Sequence, residues 1–158
     1  MRARTIAPDD PRTPDIRALI DRHLAFADQH TPPEDVHALD LEGLLDPDVT
    51  FFSCRADGEL LGIGALRMLG ADHAELKSMH TAEAARGQGV ARAIVQHVLA
   101  VARARGVGRV SIETGTQDAF AAARALYRRM GFEPCAPFGD YVNSANSVCM
   151  TRRLDDRD

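Results

Sequence analysis

The chain has 158 residues, 45% of them hydrophobic and 27% charged, with a formal net charge of −4 at pH 7. That length suits one domain, 1–158, burying roughly two-thirds of its unfolded surface; the acidic balance gives no overall pull toward nucleic acid or an anionic membrane, and no apolar run is long enough to span a bilayer. Three cysteines without a CxxC pair and without an apolar leader argue against a disulfide framework and for a cytoplasmic protein, and no histidine stands at zinc-ligand spacing to a cysteine.

Thr5-Ile6-Ala7 reads as an edge strand, followed by turn residues from Asp9 to Pro14. Pro14-Asp15 opens a helix whose apolar residues Ile16, Leu19, Ile20, Leu24 and Phe26 recur at helical spacing, and Thr31-Pro32-Pro33 stops it. A second, shorter helix is expected over residues 33–45; the alternative is an irregular cover over a pocket, carrying Leu39, Leu41 and Leu44. Strands over 49–54 and 59–69 flank Asp57-Gly58, a strong hairpin signal, and a third strand covers 73–81. A helix over 90–105 carries a wide apolar stripe and is closed by Gly106 and Gly108. Then come a strand over 109–114, a helix capped by Asp118 and ended by Gly131, and a strand from Phe132-Glu133. A Pro-, Gly- and Asn-rich loop over 134–146 leads to a last strand over 147–153, with a charged, frayed tail from Leu154. The helix joining the 73–81 and 109–114 strands is a crossover, so those two strands should be parallel. The fold class is α/β: a mixed sheet with helices on both faces.

Between the third strand and its helix lies Ala84-Ala85-Arg86-Gly87-Gln88-Gly89-Val90-Ala91-Arg92. Glycines lacking a Cβ let this backbone turn tightly and approach a ligand closely. The turn ends at a helix start, where backbone N–H groups lack intrahelical partners and the macrodipole is positive. Arg86 adds a full charge, so the loop suits a phosphate or pyrophosphate. A Walker-type loop would need Lys-Ser/Thr after the last glycine, and Val90-Ala91 is not that. A dinucleotide fingerprint would need a small residue at Arg92, although it does find an acidic residue one strand later at Glu113. A glycine-rich helix start without a ligand is the plain alternative.

The third form, Arg-Gly-x-Gly-x-Ala opening a helix after a strand, resembles the pyrophosphate motif of the GNAT acetyltransferase superfamily, which cradles coenzyme A. Residues 74–81 look like the strand preceding that motif, and 109–115 are similar to the next strand. Leu126-Tyr127, three residues, then Gly131-Phe132 match a further signature; 135–141 with Asn146-Ser147 and Met150 are similar to a bacterial subgroup assigned to small-molecule acetylation. The likeness covers 74–152, and the N-terminal half matches only in its pattern of elements. It implies the GNAT-like acyl-CoA N-acyltransferase fold, with a splayed parallel strand pair, and acetyl-CoA as cofactor. Met79, His80 and Thr81 would then meet the pantetheine arm through backbone atoms, as an added strand does. Arg86, Gly87, Gln88, Gly89, Val90 and Ala91 would take the pyrophosphate. Many family members place an asparagine shortly before the tyrosine helix; here Thr114-Gly115-Thr116-Gln117-Asp118 stands instead, and no residue carries over.

Acetyl transfer to an amine needs a neutral amine, a polarised thioester carbonyl and a proton for the departing thiolate. The resemblance makes Tyr127 the acid, facing the coenzyme sulfur. Two carboxylates compete as base: Glu75, at a strand position that serves some family members, and Glu113, at the C-terminal end of its strand, where open α/β sheets bind ligands. Phe138, Tyr141 and Asn143 of the last loop are candidates to shape the acceptor pocket. Cys135 lacks a visible His-Asp partner, and direct transfer requires no acyl-enzyme. The expected partner is a small-molecule or amino-acid-like amine, without metal, nucleic acid or membrane; a homodimer stays open. A protein or peptide N-acetyltransferase and a non-catalytic acyl-CoA-binding module are the rival readings.

Overall fold

The computed structural model describes residues 2–154. Seven strands form one sheet: β1 (Thr5–Pro8), β2 (Val49–Ala56), β3 (Glu59–Met68), β4 (His73–Thr81), β5 (Arg109–Gly115), β6 (Glu133–Cys135) and β7 (Ser147–Arg153), in the order β1-β2-β3-β4-β5-β7-β6. All pairs are antiparallel except β4 with β5, the parallel pair that the crossover demands. Asp57 and Gly58 both take positive φ (52° and 80°), as the tight turn between β2 and β3 requires.

Alternation along the strands divides the core between two faces. Phe51, Ile63 and Ala65 pack with Ile16, Leu19 and Ile20 of α1 (Pro14–His30) and with Leu44 of α2 (Leu41–Leu44). Phe52, Leu66 and Leu76 meet Ile94, Val95 and Val98 of α3 (Val90–Ala104), along with Tyr127 of α4 (Ala121–Arg129). Helices therefore cover both faces, and no helix among the described residues is long and apolar enough to cross a membrane.

Three local expectations change. Residues 33–45 are not one helix: a 3₁₀ turn (Pro33–Asp35) and the single turn of α2 are all that forms there. Val36 leaves the turn in an extended conformation, and Asp40 starts α2 afresh by accepting from the Gly43 amide (2.9 Å). The segment between them lends Val36, His37 and Ala38 to the cleft described below, whereas Leu39 and Leu44, expected in the alternative reading to cover a pocket, pack with the core beneath α1 and Leu41 does not line the cleft. Asp118 does not cap α4 either; it begins a 3₁₀ turn (Asp118–Phe120) that runs into the helix without a side-chain cap. Leu154 is no frayed tail, because it is buried and its amide donates to Gly108 O (2.8 Å). The rest of the expected charged tail lies outside the described residues.

Candidate active site

The site begins where the parallel pairing ends. β4 and β5 pair only through His73–Arg109, Ala74–Val110 and Glu75–Ser111. Beyond Glu75, β4 stays on β3, while β5 stays on β7 as far as Gly115. Each neighbour holds its own strand, so the two part and leave backbone groups facing the gap between them. A cleft of about 190 Å³ opens there, lined by both strands, α1, the 35–38 segment and Tyr127 of α4.

At the open end of β4, the chain passes through a 3₁₀ turn (Glu83–Ala85) into the glycine loop. Gly87 and Gly89 both adopt left-handed φ (76° and 79°), and Gly89 is the α3 N-cap. No side chain caps α3 and its first turn holds no acidic residue, so its first amides remain open to an anion. A Cβ at Gly87 would meet nothing within 4 Å, which leaves open space in front of the loop. The loop is pinned from two sides. The Gln88 side chain donates to Ala84 O (3.2 Å), and the Arg4 guanidinium donates to Gln88 O. Sequence reading missed Arg4, since only the folding of the N-terminal arm brings a residue 84 positions away onto the loop. Left-handed glycines, open amides and two arginines fit a diphosphate.

Glu75 and Glu113 both line the cleft, in different settings. Glu75 is buried, accepts a hydrogen bond from the Tyr141 hydroxyl, and pairs with Lys77 at 3.3 Å. Lys77, the only lysine in the chain, also donates to Tyr141 Oη (2.8 Å) and His37 O (3.3 Å), so its ammonium is fully engaged. Glu113 stands apart from that cluster. It sits on β5 two residues beyond Ser111, the last residue paired with β4, and accepts from Ser147 Oγ (2.6 Å). Burial raises the Glu113 carboxyl above the ordinary range, and the Ser147 hydrogen bond only partly opposes this. Tyr127 is buried against Phe132, with ring centroids 5.8 Å apart, and burial pushes its phenol upward, so it stays protonated. His80 is held by His23 (Nδ1 to Nδ1, 3.2 Å); burial lowers His80 and pushes His23 down to about 4, so this pair is neutral and packed.

The last loop divides the remaining candidates. Phe138 is buried and packs on Tyr141 (5.0 Å) and His73 (5.7 Å), which fixes the loop rather than lining the cleft. Tyr141 reaches Glu75 but lines a neighbouring depression with Lys77 and His37 instead of the cleft itself. Asn143 is exposed and away from the cleft lining; Asn146 lines it and donates to Asp35 Oδ2 (3.0 Å). Met79, His80 and Tyr127 line the cleft, whereas residues 86–91 lie beyond its lining, past the end of β4. Among the described residues no group of three or more His, Cys, Asp or Glu is placed to hold a metal ion.

Comparison with known proteins agrees with this geometry. Residues 14–132 match the family model described as "Acetyltransferase (GNAT) family". The chain is 42% identical over 146 residues to the uncharacterized N-acetyltransferase YsnE of Bacillus subtilis (strain 168), covering 92% of this chain and 97% of the relative. It is 32% identical over 151 residues to the IAA acetyltransferase of Azospirillum brasilense, covering 95% and 97%. A solved structure from Klebsiella pneumoniae subsp. pneumoniae MGH 78578, assigned as an acyl-CoA N-acyltransferase, superposes with a TM-score of 0.81 at 29% identity, covering 96% of this chain and 97% of that one. The forked parallel pair and the glycine loop thus have the same explanation as the sequence likeness: the chain belongs to the acetyltransferase (GNAT) family and is an acyltransferase.

Proposed function

We propose that the protein transfers an acetyl group from acetyl-CoA directly to a primary amine of a small-molecule or amino-acid-like acceptor. One observation carries this reading: β4 and β5 separate just past Glu75, and the opening holds Glu113 and Tyr127 while leading out toward the Arg86–Ala91 loop. Acetyl-CoA supplies a thioester whose C–S bond breaks as the amine's N–C bond forms. The loop amides and Arg86 hold the diphosphate, and the free edges of Met79, His80 and Thr81 hold the arm. Glu113, with its raised carboxyl, takes the ammonium proton before attack; it is the better base because Glu75 is already tied to Tyr141 and Lys77. Tyr127 gives its proton to the departing sulfur.

The acceptor end supports a small substrate over a peptide. Asp35 binds Ser144 Oγ (2.9 Å) and Asn146 Nδ2 (3.0 Å), and Lys77 binds His37 O and Tyr141 Oη. These bonds tie the 35–38 segment, which lines the cleft, to the last loop, and a peptide groove running between the two would require them to break. The name of the Azospirillum relative, an IAA acetyltransferase, also favours a small acceptor.

The test is thiol release from acetyl-CoA against a panel of amines, amino acids and peptides, alongside calorimetric binding. Turnover with small amines and none with peptides is expected. Binding without turnover on any acceptor would favour the non-catalytic module. A Gly89→Glu variant puts a side chain at φ 79° and a negative charge in the loop, so coenzyme binding should be lost; intact affinity would remove the loop from the site.

A further inference from the structure

Gln88 stands between two left-handed glycines, Gly87 and Gly89, where peptide planes turn at little steric cost. None of the backbone N–H groups of residues 87–92 donates to a described group. Left to itself, such a loop is free to present those amides in several directions. One contact from a distant part of the chain selects among them: the Arg4 guanidinium donates to Gln88 O, and its Nη1 lies 3.9 Å from where a Cβ on Gly89 would stand. Arg4 is itself held in place. It lies between Arg2, which pairs with Glu59 (2.7 Å), and Thr5, where β1 begins its pairing with β2. Arg4 forms no ion pair with a described carboxylate, so no such group competes with the loop carbonyl for it.

The stereochemistry of the peptide gives that contact a consequence. The Gln88–Gly89 bond is trans, so its N–H points opposite to its C=O. With the carbonyl turned to Arg4, the Gly89 N–H is turned away from Arg4 and has no partner in the protein. A charged donor on the carbonyl also polarises the peptide and strengthens its N–H as a donor. We propose that Arg4 is a positioning residue for the diphosphate, acting through the Gln88–Gly89 peptide from the far side of the loop to hold the Gly89 N–H toward the bound anion. Arg4 works before the ligand arrives, by removing peptide orientations whose ordering on binding would weaken affinity. This rests on the acetyl-CoA reading above.

Arg4→Met keeps an unbranched side chain and removes both the donor and the charge. Calorimetry with acetyl-CoA should show a Kd about 10-fold weaker than wild type, the scale of one charge-assisted hydrogen bond. General damage to the fold would weaken every acyl donor alike, so a second measurement compares acetyl-CoA with S-acetylpantetheine, which has the same thioester and no diphosphate. The ratio of their kcat/KM values should fall about 10-fold in Arg4→Met. In ¹⁵N–¹H spectra, the Gly89 amide proton should move downfield when wild type is saturated with coenzyme A, and move less in saturated Arg4→Met. Unchanged acetyl-CoA affinity in the variant, an equal loss with both donors, or the same Gly89 shift in both proteins overturns the role of Arg4 alone. Failure of wild type to bind acetyl-CoA overturns the coenzyme reading and this inference with it.

Discussion

Glu113 and Tyr127 titrate in ways that make separate tests available. A carboxyl whose folded pKa lies above its unfolded value binds its proton more tightly in the native state, so ionising it as pH rises through that window costs stability. Gln at 113 removes the charge and keeps an oxygen for the Ser147 hydroxyl. Glu113→Gln should therefore melt above wild type at neutral pH, with the difference closing in acid. Its turnover should fall about 10²-fold, and the rising limb of the pH–rate profile should vanish; a retained limb would assign the base elsewhere. Tyr127, kept protonated by burial, is a donor throughout the physiological range. Tyr127→Phe should keep coenzyme affinity and lower kcat by about 10²-fold, and unchanged turnover would remove its acid role. Glu75 was legible in the sequence as a carboxylate on the right strand. Its engagement by Tyr141, 66 residues away, was not, because a local reading contains no term for that contact.

At the scale of elements, α3 is seated closely on the sheet at Gly64. A Cβ at Gly64 would stand 2.7 Å from Met79 Sδ and 2.8 Å from Ile94 Cγ2. The Met79 thioether can swing aside, but the Ile94 methyl is fixed in the core, so α3 itself would have to move. Gly64→Ala should cost about 1–3 kcal/mol, read as a lower denaturant midpoint with an unchanged m-value. An unaltered midpoint would show that α3 has slack. The same helix presents the glycine loop, so its seating on β3 sets where that loop stands relative to the cleft. Period-2 and period-3.6 patterning made these elements readable, since each buries one face. The 33–45 stretch resisted such reading because its contacts, such as Asp35 to Asn146 and His37 O to Lys77, are made with distant strands and loops rather than along a helix.

For the whole molecule, a ligand held by the loop at one end and the fork at the other bridges α3, β4 and β5, and binds only the folded chain. Acetyl-CoA at 100 times its Kd should add about 2.7 kcal/mol of stability, raising the melting temperature by about 5–10 °C for a domain of this size. No shift at saturating coenzyme would contradict the proposed site. The sequence by itself determined the strand and helix order, the parallel pair, the glycine-rich start of α3 and the placing of Glu75 and Glu113 on the two central strands, because local periodicity, glycine geometry and crossover topology are written along the chain. Only the tertiary structure decided that Arg4 closes onto the loop, that Lys77 and Tyr141 engage Glu75 while Glu113 stays outside that cluster, and that the Ser78 hydroxyl is buried without a partner. Each of those depends on which distant groups share a low-dielectric space, and burial and pairing are set by packing rather than by any local run of residues.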